Sequence, residues 1–447
     1  MRYDVVIIGA GPAGIFSALE LSKSSELKIA IIDKGPDIDQ RSREKSLLSG
    51  WGGAGAFSDG KLTLSTHVGG WLDSLMPDRE LLELIEQVDH VYLDYGAPEK
   101  IYGANHDDVI ELQRKAALAE LRLVPSEIRH LGTETCPQIL RRMRDALKKR
   151  VDIMTSTAVS ALITADSRIT GVETMDGRRI DADFVIVAPG REGADWLASE
   201  AHRLGLSTTS NPVDIGVRVE VPAAVLDELT SVVYEPKLIF YTRSFDDQVR
   251  SFCVCPRGEV VLEESDGMRT VNGHSYAHKK TENTNFALLV STLFTEPFRE
   301  PITYGRYIAT LSNLLSGGVI VQRLGDLQAG RRSTEARIAR GVVKPTLTSA
   351  VPGDLSFVLP YRYLAGILEM LRAMDKLAPG VGSRHTLLYG VEVKFYSSRL
   401  ELSSVLETGI RNLFTIGDGA GVTRGLVQAS ASGLIAAREI AERVKTR

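Results

Sequence analysis

The sequence predicts an α/β protein, with a Rossmann-like dinucleotide-binding domain that carries a β-meander and is interrupted by an inserted α+β domain. Three observations predict this fold. A buried apolar strand at residues 4–8 runs directly into a G-x-G-x-x-G turn at residues 9–14, followed by a helical pattern. Residues 151–187 change to the alternation typical of strands. A last strand ends in Gly417 and Asp418, so the first domain is completed only near the end of the chain.

Each glycine of the turn has its own structural role. Gly9 permits the tight turn, Gly11 lets the backbone approach a pyrophosphate, and Gly14 lets the helix pack close to the strand. Pro12 and Ala13 complete the motif. The helix that follows directs its N–H groups and positive dipole end at the phosphates.

A second strand, at residues 28–33, ends in Asp33, about 20 residues after the turn, where the ribose hydroxyls lie in such folds. A carboxylate there disfavours a 2′-phosphate, so FAD or NAD is preferred over NADP. We assign Lys34 to the same site. The alternative is a glycine-rich turn without a ligand, but strand, turn, helix and acid all favour the dinucleotide.

Composition excludes several classes of protein. A chain of 447 residues with 43% hydrophobic residues predicts two or three domains with a substantial core. A net charge of −4 gives no general attraction to nucleic acid or to an anionic membrane. The 3 cysteines are too few for a disulfide framework, which favours a reducing cytoplasm. No run of about 18 apolar residues occurs, so no membrane span is expected.

A second glycine-rich segment follows at residues 50–61. Its glycines suggest backbone that passes close to something flat or anionic, and Trp51 and Phe57 argue against a flexible linker. The residues that we assign to the cofactor here are Gly52, Gly53, Ala54 and Gly55.

Periodicity also gives the order of the domains. Helical patterns cover residues 77–121 and begin again at Cys136, whereas the strands of residues 151–187 predict an antiparallel meander. We expect the dinucleotide-binding domain at 1–65, 130–205 and 391–447, a mainly helical segment at 66–129, and an inserted substrate domain at 206–390.

The layout resembles the flavoprotein superfamily typified by glutathione reductase, in which the strand after the meander ends in Ala-Thr-Gly. Here the triplet is Ala188, Pro189 and Gly190, so the middle residue differs. The resemblance implies that Gly417 and Asp418 contact the ribityl–pyrophosphate part of FAD. It also implies that the helix after Gly425 directs its N-terminus at the flavin ring. Val159, Ala188, Gly190, Gly425 and Leu426 therefore join the expected FAD site.

Seven further segments are similar to the signatures of an uncharacterised family of bacterial and archaeal FAD-dependent dehydrogenases (NAD(P)/FAD-dependent oxidoreductases). They are residues 51–61, 271–276, 283–288, 330–334, 352–355, 386–395 and 417–424. The resemblance implies a flavin and redox chemistry, but it supplies no substrate.

We expect the FAD to be bound non-covalently. His67 follows the glycine-rich segment, but its neighbours give no reason to activate it. No second G-x-G-x-x-G is present for a nicotinamide domain, so NAD(P)H is expected at most as a transient reductant.

Groups that can bind and protonate a substrate are expected in the inserted domain. Arg331 and Arg332 stand beside two hydroxyls and suit a carboxylate or phosphate, although a surface ion pair is about equally probable. His385 with Tyr389, or His274 with Tyr276, could supply an acid or base. For each of these side chains alone, a structural hydrogen bond is the more common role. We favour His385 and Tyr389, because the chain returns to the first domain just beyond them.

Cys253 and Cys255 do not have the C-x-x-C spacing of disulfide oxidoreductases. Alternation along a strand would also point their thiols to opposite faces, so a catalytic disulfide is not favoured. No cluster has the spacing of metal ligands, and no metal is expected.

The function predicted from the sequence is that of an FAD-dependent dehydrogenase or reductase. It would act on a small, anionic molecule through hydride transfer at flavin N5. One alternative is a flavin oxidase or monooxygenase of the same fold. Another is a flavin-bearing electron-transfer protein with a protein partner. Neither a nucleic acid nor a membrane is an expected partner, and the oligomeric state stays open.

Overall fold

The first strand and helix form where the sequence predicts them. In the computed structural model of the protein, strand β1 spans Arg2–Ile8 and helix α1 spans Pro12–Leu21. The β-branched residues of β1 favour a buried strand. Pro12 occupies the first turn of α1, where its missing N–H costs no hydrogen bond. The structure describes residues 1–24, 26–42, 46–209, 212–265, 267–276, 279–292, 301–395 and 399–446.

The other helices of the described residues are α2 (Asp78–Asp94), α3 (His106–Leu118), α4 (Cys136–Leu147), α5 (Ala194–Arg203), α6 (Ala223–Val232), α7 (Pro301–Ser316), α8 (Leu324–Gln328), α9 (Glu335–Ala339), α10 (Tyr361–Leu377) and α11 (Leu426–Lys445). None of these described helices combines the length and the apolar character needed to cross a membrane.

The other described strands are β2 (Ile29–Ile32), β3 (Lys61–Leu64), β4 (Ile101–Tyr102), β5 (Arg122–Val124), β6 (Glu127–His130), β7 (Val151–Met154), β8 (Val159–Ala165), β9 (Arg168–Thr174), β10 (Arg179–Val187), β11 (Thr208–Thr209), β12 (Val213–Pro222), β13 (Lys237–Tyr241), β14 (Gln248–Cys255), β15 (Glu259–Ser265), β16 (Met268–His274), β17 (Asn283–Thr292), β18 (Ile320–Arg323), β19 (Val351–Pro352), β20 (Leu387–Lys394), β21 (Arg399–Leu400) and β22 (Leu413–Thr415).

The chain divides into two compact units. The first unit comprises residues 1–100, 129–211 and 396–447, and the second comprises residues 101–128 and 212–395. This division differs from the expectation of a separate helical segment at 66–129. Residues 66–100, which contain α2, belong to the first unit, whereas residues 101–128, which contain α3, belong to the second. The apolar side of each helix is buried in a different core, because Leu81 and Leu112 fall in separate hydrophobic clusters.

The main sheet of the first unit has the strand order β7-β2-β1-β10-β9-β8, with β22 beside β10. Strands β7, β2, β1, β10 and β22 are parallel, and β10, β9 and β8 form an antiparallel meander. The prediction that Val151–Met154 belongs to the meander is therefore wrong. This strand directly follows α4, and such a helix returns the chain parallel to β2.

Helices α1 and α11 pack backbone to backbone in the first unit. A Cβ atom on Gly433 would lie 2.2 Å from the Ala13 carbonyl oxygen, so only glycine permits this approach. The Ser17 hydroxyl donates a hydrogen bond to the Gly433 carbonyl oxygen at 3.1 Å. The small residues of α11 thus hold the N-terminal turns of both helices in one region.

The main sheet of the second unit has the strand order β19-β18-β20-β12-β17-β14-β13-β5. Alternation along β12 separates two faces: Ile215, Val217 and Val219 enter the apolar core, whereas Arg218 and Glu220 alternate with them. Both charged side chains are 0% exposed. We call their layer the polar layer, which consists of Arg218, Glu220, Asn285, Tyr389, Glu392 and Lys394.

The expectation that Cys253 and Cys255 point to opposite faces is wrong. Cys253 has a φ of 47°, and the pairing of β14 with β17 shifts by one residue between Phe252 and Cys255. Side chains two positions apart share one face of a strand, and the two sulfur atoms lie 3.9 Å apart.

Candidate functional site

The glycine turn of the first unit has the geometry that its motif predicts. Gly9 has a φ of 103°, and a Cβ atom there would lie 2.0 Å from the Ala188 carbonyl oxygen. A Cβ atom on Gly14 would lie 1.9 Å from the Gly9 carbonyl oxygen, so this glycine permits close packing of helix on strand. The space beside Gly11 is different, because the nearest atom to a Cβ atom there would be the Gly53 Cα atom at 3.9 Å.

Three backbone segments meet at this place. Gly53 approaches the Gly11 Cα atom, to which a Cβ atom on Gly53 would lie at 3.0 Å. A Cβ atom on Gly55 would lie 3.4 Å from Pro12 and 3.1 Å from Leu426. Among the described residues, no side chain caps the N-terminus of α1 or of α11. We call these groups the FAD cradle: Gly11, Gly53, Gly55 and the first turns of α1 and α11.

Arg41 holds the glycine-rich segment of the cradle in shape. Its guanidinium donates hydrogen bonds to the carbonyl oxygens of Trp51 at 2.6 Å and Gly53 at 2.8 Å. It also bonds the carbonyl oxygens of Ser46 and Leu47. Burial lowers the pKa of Arg41 to about 10. The sequence reasoning missed this residue, whose only signal is an arginine shortly before a run of glycines.

Asp33 has a structural role beside the one expected of it. One carboxylate oxygen accepts a hydrogen bond from the Ala10 N–H at 2.8 Å, and the other accepts from Gly35 and Gly50, each at 2.8 Å. A carboxylate offers about four acceptor positions, so one remains for a ribose hydroxyl. Asp33 therefore first organises the turn and the glycine-rich segment.

Asp418 follows Gly417, which has a φ of 75°. Burial raises the pKa of Asp418, while Arg191 and Arg424 oppose the shift. The Thr423 hydroxyl donates a hydrogen bond to its carboxylate at 2.7 Å. This carboxylate is a suitable acceptor for sugar hydroxyls.

The remaining residues predicted for the cofactor fall into two groups. Ala13, Ala54, Ala188 and Gly190 belong to the turns next to the cradle. Lys34, Gly52 and Val159 have other neighbours: the Lys34 ammonium pairs with Glu192 at 2.9 Å. A Cβ atom on Gly52 would meet Leu140 at 2.4 Å, and Val159 packs at the edge of an apolar cluster.

The residues of the first unit fit FAD. Uncapped N–H groups of two helices suit a pyrophosphate, and the space beside Gly11 is one that a side chain would fill. The acceptors Asp33 and Asp418 suit the hydroxyls of the ribose and ribityl groups.

The exposed His67 side chain lies within 4 Å of the carboxylates of Asp73 and Asp78.

The arginines of the second unit gather around one carboxylate. Asp326 is 1% exposed and accepts hydrogen bonds from Arg331 and Ser333, both at 2.9 Å. Arg323 and Arg337 each lie 3.9 Å from it. Burial raises the pKa of Asp326, but these hydrogen bonds and charges outweigh it, and the pKa falls below its ordinary value.

His385 extends this group, which we call the guanidinium cluster: Arg323, Arg331, Arg337 and Arg384 with Asp326 and His385. Arg384 donates a hydrogen bond to His385 Nε2 at 3.1 Å, and Arg323 Nη2 lies 3.5 Å from Nδ1. Burial and the two cations lower the pKa of His385. Arg332 contributes only its carbonyl oxygen, which accepts from Arg337 at 2.9 Å.

Tyr389 does not join His385 in this cluster. It is 0% exposed and donates its hydroxyl to Glu220 in the polar layer. Burial and the neighbouring Glu220 raise its pKa well above the ordinary value. The predicted pairing of His385 with Tyr389 is therefore wrong, because β20 buries the tyrosine. Of the other predicted pair, His274 ends β16, and Tyr276 stacks under the Lys279 ammonium at 5.4 Å.

Two family models match the chain. A family model described as FAD dependent oxidoreductase (DAO) matches residues 4–278, and one described as FAD-dependent protein, C-terminal domain-like, matches residues 212–395. An uncharacterized protein of Clostridium beijerinckii is 27% identical over 475 residues, which cover 98% of this chain and 80% of that protein.

Two solved structures are similar to the chain at low identity. Glycine oxidase from Geobacillus kaustophilus is 14% identical, with 99% of this chain and 95% of that chain covered and a TM-score of 0.42. L-Proline dehydrogenase from P. horikoshii is 12% identical, with 99% and 94% covered and a TM-score of 0.44. Because the first family model matches more than half of the sequence, the chain belongs to the FAD dependent oxidoreductase family and is an enzyme that uses FAD.

Proposed function

We propose that the protein is an FAD-dependent dehydrogenase that oxidises a small organic anion. FAD would supply the two-electron acceptor for hydride transfer. The cradle of the first unit holds its pyrophosphate through backbone N–H groups, and the guanidinium cluster of the second unit binds the anionic group of the substrate.

The observation that carries the anionic substrate is the charge of the guanidinium cluster. Three guanidiniums, from Arg323, Arg331 and Arg337, surround one carboxylate, Asp326, among the described residues. A fourth, from Arg384, bonds the neighbouring His385. Arg323 Nε is buried and has no hydrogen-bond acceptor within the described part of the chain. A planar guanidinium with an unused donor recognises carboxylate or phosphate oxygens. A bound anion would satisfy this donor and reduce the excess positive charge.

His385 is the candidate proton acceptor. Its lowered pKa keeps the imidazole neutral near pH 7, so one ring nitrogen can accept a proton. A bound anion beside Arg323 and Arg384 would weaken the effect of both cations and make His385 a stronger base. The substrate itself would then activate the residue that takes its proton.

The test is anaerobic mixing of the FAD-loaded enzyme with a panel of small carboxylates and phosphate esters, followed by flavin absorbance. We expect at least one anion to bleach the flavin. Arg323→Gln should raise KM by about tenfold, since a charge-assisted hydrogen bond contributes about 1.5–3 kcal/mol. Arg269→Gln, on β16 and paired with Glu264, is the matched control and should leave KM unchanged.

The outcomes separate the alternatives. Fast reoxidation of the reduced flavin by air with release of peroxide would identify an oxidase. Reoxidation only by another protein would identify an electron-transfer protein. Equal KM values for Arg323→Gln and Arg269→Gln would overturn the role of the cluster while leaving the flavin chemistry intact.

A further inference from the structure

Two thiols lie side by side at the end of β14 in the second unit. The sulfur atoms of Cys253 and Cys255 lie 3.9 Å apart, and both residues are reduced in the structure. Cys253 is half-buried and Cys255 is buried, so Cys253 is the more accessible of the two. Residues two positions apart share one face of a strand, and Cys253 has a φ of 47° at the bulge of β14.

A buried cation faces this pair. Arg218 Nη2 lies 3.2 Å from Cys255 Sγ and donates a hydrogen bond to the Cys253 carbonyl oxygen at 2.6 Å. The nearest carboxylate oxygen to Arg218, from Glu392, is 3.5 Å away and is shared with Lys394 at 3.1 Å. Lys394 has a further carboxylate partner in Glu263 at 3.7 Å, whereas Arg218 Nη2 is directed at the Cys255 sulfur and the Cys253 carbonyl oxygen. A guanidinium in this position stabilises a thiolate.

We propose that Cys253 and Cys255 form a dithiol–disulfide exchange site that reduces small, low-molecular-weight disulfides. The accessible Cys253 thiolate attacks one sulfur of the small disulfide, whose S–S bond breaks and releases one thiolate. Cys255 then attacks Cys253 Sγ, forms the Cys253–Cys255 disulfide and releases the second thiolate. Two thiols are oxidised, one small disulfide becomes two thiols, and the two cysteine protons pass to those products.

The positions of the two residues divide the roles between them. Cys253 is the sulfur that meets the substrate, and Cys255, beside Arg218, is the resolving thiolate. A disulfide between residues two positions apart closes a tight ring, and strained disulfides are readily reduced again. The site is therefore suited to reversible exchange rather than to a structural cross-link.

The test exposes the FAD-loaded protein to oxidised glutathione, and alkylation then blocks the remaining thiols before digestion with trypsin. Residues 251–257 form one tryptic peptide that holds both cysteines, and Cys136 falls in another, residues 130–141. We expect the first peptide to become lighter by two hydrogen atoms without alkylation, with release of two glutathione thiols per chain. Dithiothreitol should restore it.

Variants separate the two steps. Cys255→Ser should stop at a glutathione adduct on Cys253, Cys253→Ser should not react, and Cys136→Ser should react as the unaltered protein does. A peptide that stays reduced, or an adduct on Cys253 in the unaltered protein that never resolves, would overturn the proposal.

Arg218 is a positioning residue in this scheme, so its test needs a kinetic readout. Arg218→Lys should slow resolution of the adduct by about tenfold while leaving adduct formation unchanged. If this variant does not fold, the pH profile of resolution in the unaltered protein decides. A rate that stays constant down to well below about pH 8.5, the ordinary thiol pKa, supports the role of Arg218. A rate that falls below that pH contradicts it.

Discussion

The FAD cradle of the first unit and the polar layer of the second unit are built from different parts of the chain. The cradle consists of backbone groups at Gly11, Gly53 and Gly55 and of the first turns of two helices. The polar layer consists of charged side chains such as Arg218 and Glu392, both 0% exposed. Backbone sites require glycine at fixed spacings, which a sequence displays. Side-chain networks depend on strand register, which is difficult to infer from a sequence.

This difference predicts which substitutions lower the stability of the fold and which lower the affinity for FAD. The largest effect is expected in the polar layer. Arg218→Met removes one partner of a buried ion pair and should lower the free energy of unfolding by about 3–5 kcal/mol. Chemical denaturation followed by circular dichroism measures it. Arg269→Met, which breaks an exposed pair with Glu264, is the control and should have little effect. Equal losses would show that the layer contributes no more than a surface pair.

Gly11→Val tests the cradle. A side chain at Gly11 would enter the space left for the pyrophosphate, so FAD affinity should fall by about a hundredfold or more, ~2.7 kcal/mol. Flavin absorbance of the purified protein and FAD titration measure the loss. Gly318→Val is the matched control, since a Cβ atom there would meet nothing within 4 Å. If the Gly11 variant kept its FAD, the cradle would lie elsewhere.

Arg41 tests whether side chains also support the backbone site. Arg41→Lys keeps the charge but loses the planar fork that bonds the carbonyl oxygens of Trp51 and Gly53. One lost buried hydrogen bond costs about 1–3 kcal/mol, and we expect FAD affinity to fall by about tenfold. Arg142→Lys, whose arginine bonds one carbonyl oxygen at the surface, should retain wild-type affinity. A variant Arg41→Lys with unchanged affinity would make this arginine dispensable.

The sequence predicts the backbone features well and the side-chain features poorly. Glycine spacing predicts the turn at Gly9–Gly14 and the return of the chain at Gly417, and strand periodicity predicts the meander. The position of β7 in the sheet cannot be predicted, because the sequence of a short strand does not indicate which strand it pairs with. The spacing of Cys253 and Cys255 already places both on one face of a strand, but no residue pattern marks the bulge beside them. Tyr389 and His385 are four residues apart, yet strand burial gives one to the polar layer and leaves the other beside the arginines.

The guanidinium cluster gives the smallest expected effect, a pH dependence that reports the state of His385. Its pKa is lowered by burial and by Arg323 and Arg384. The unfolded chain therefore takes up a proton on this residue as the pH falls through about 6.5, whereas the folded protein resists until a lower pH. The unfolded state binds more protons in this window, so stability falls as the pH falls. His385→Gln removes this contribution, and its melting temperature should drop less than that of the unaltered protein between about pH 7.5 and 5.5. His90→Gln, at an exposed histidine of α2, should keep the wild-type dependence.

Inorganic phosphate bound to the cluster would offset the two cations and shrink the difference in pH dependence between the unaltered protein and His385→Gln. Sodium chloride at equal ionic strength would act only by screening. Parallel pH curves for the unaltered protein and His385→Gln would contradict the assigned state of the imidazole. A phosphate effect that sodium chloride reproduces fully would contradict anion binding at the cluster.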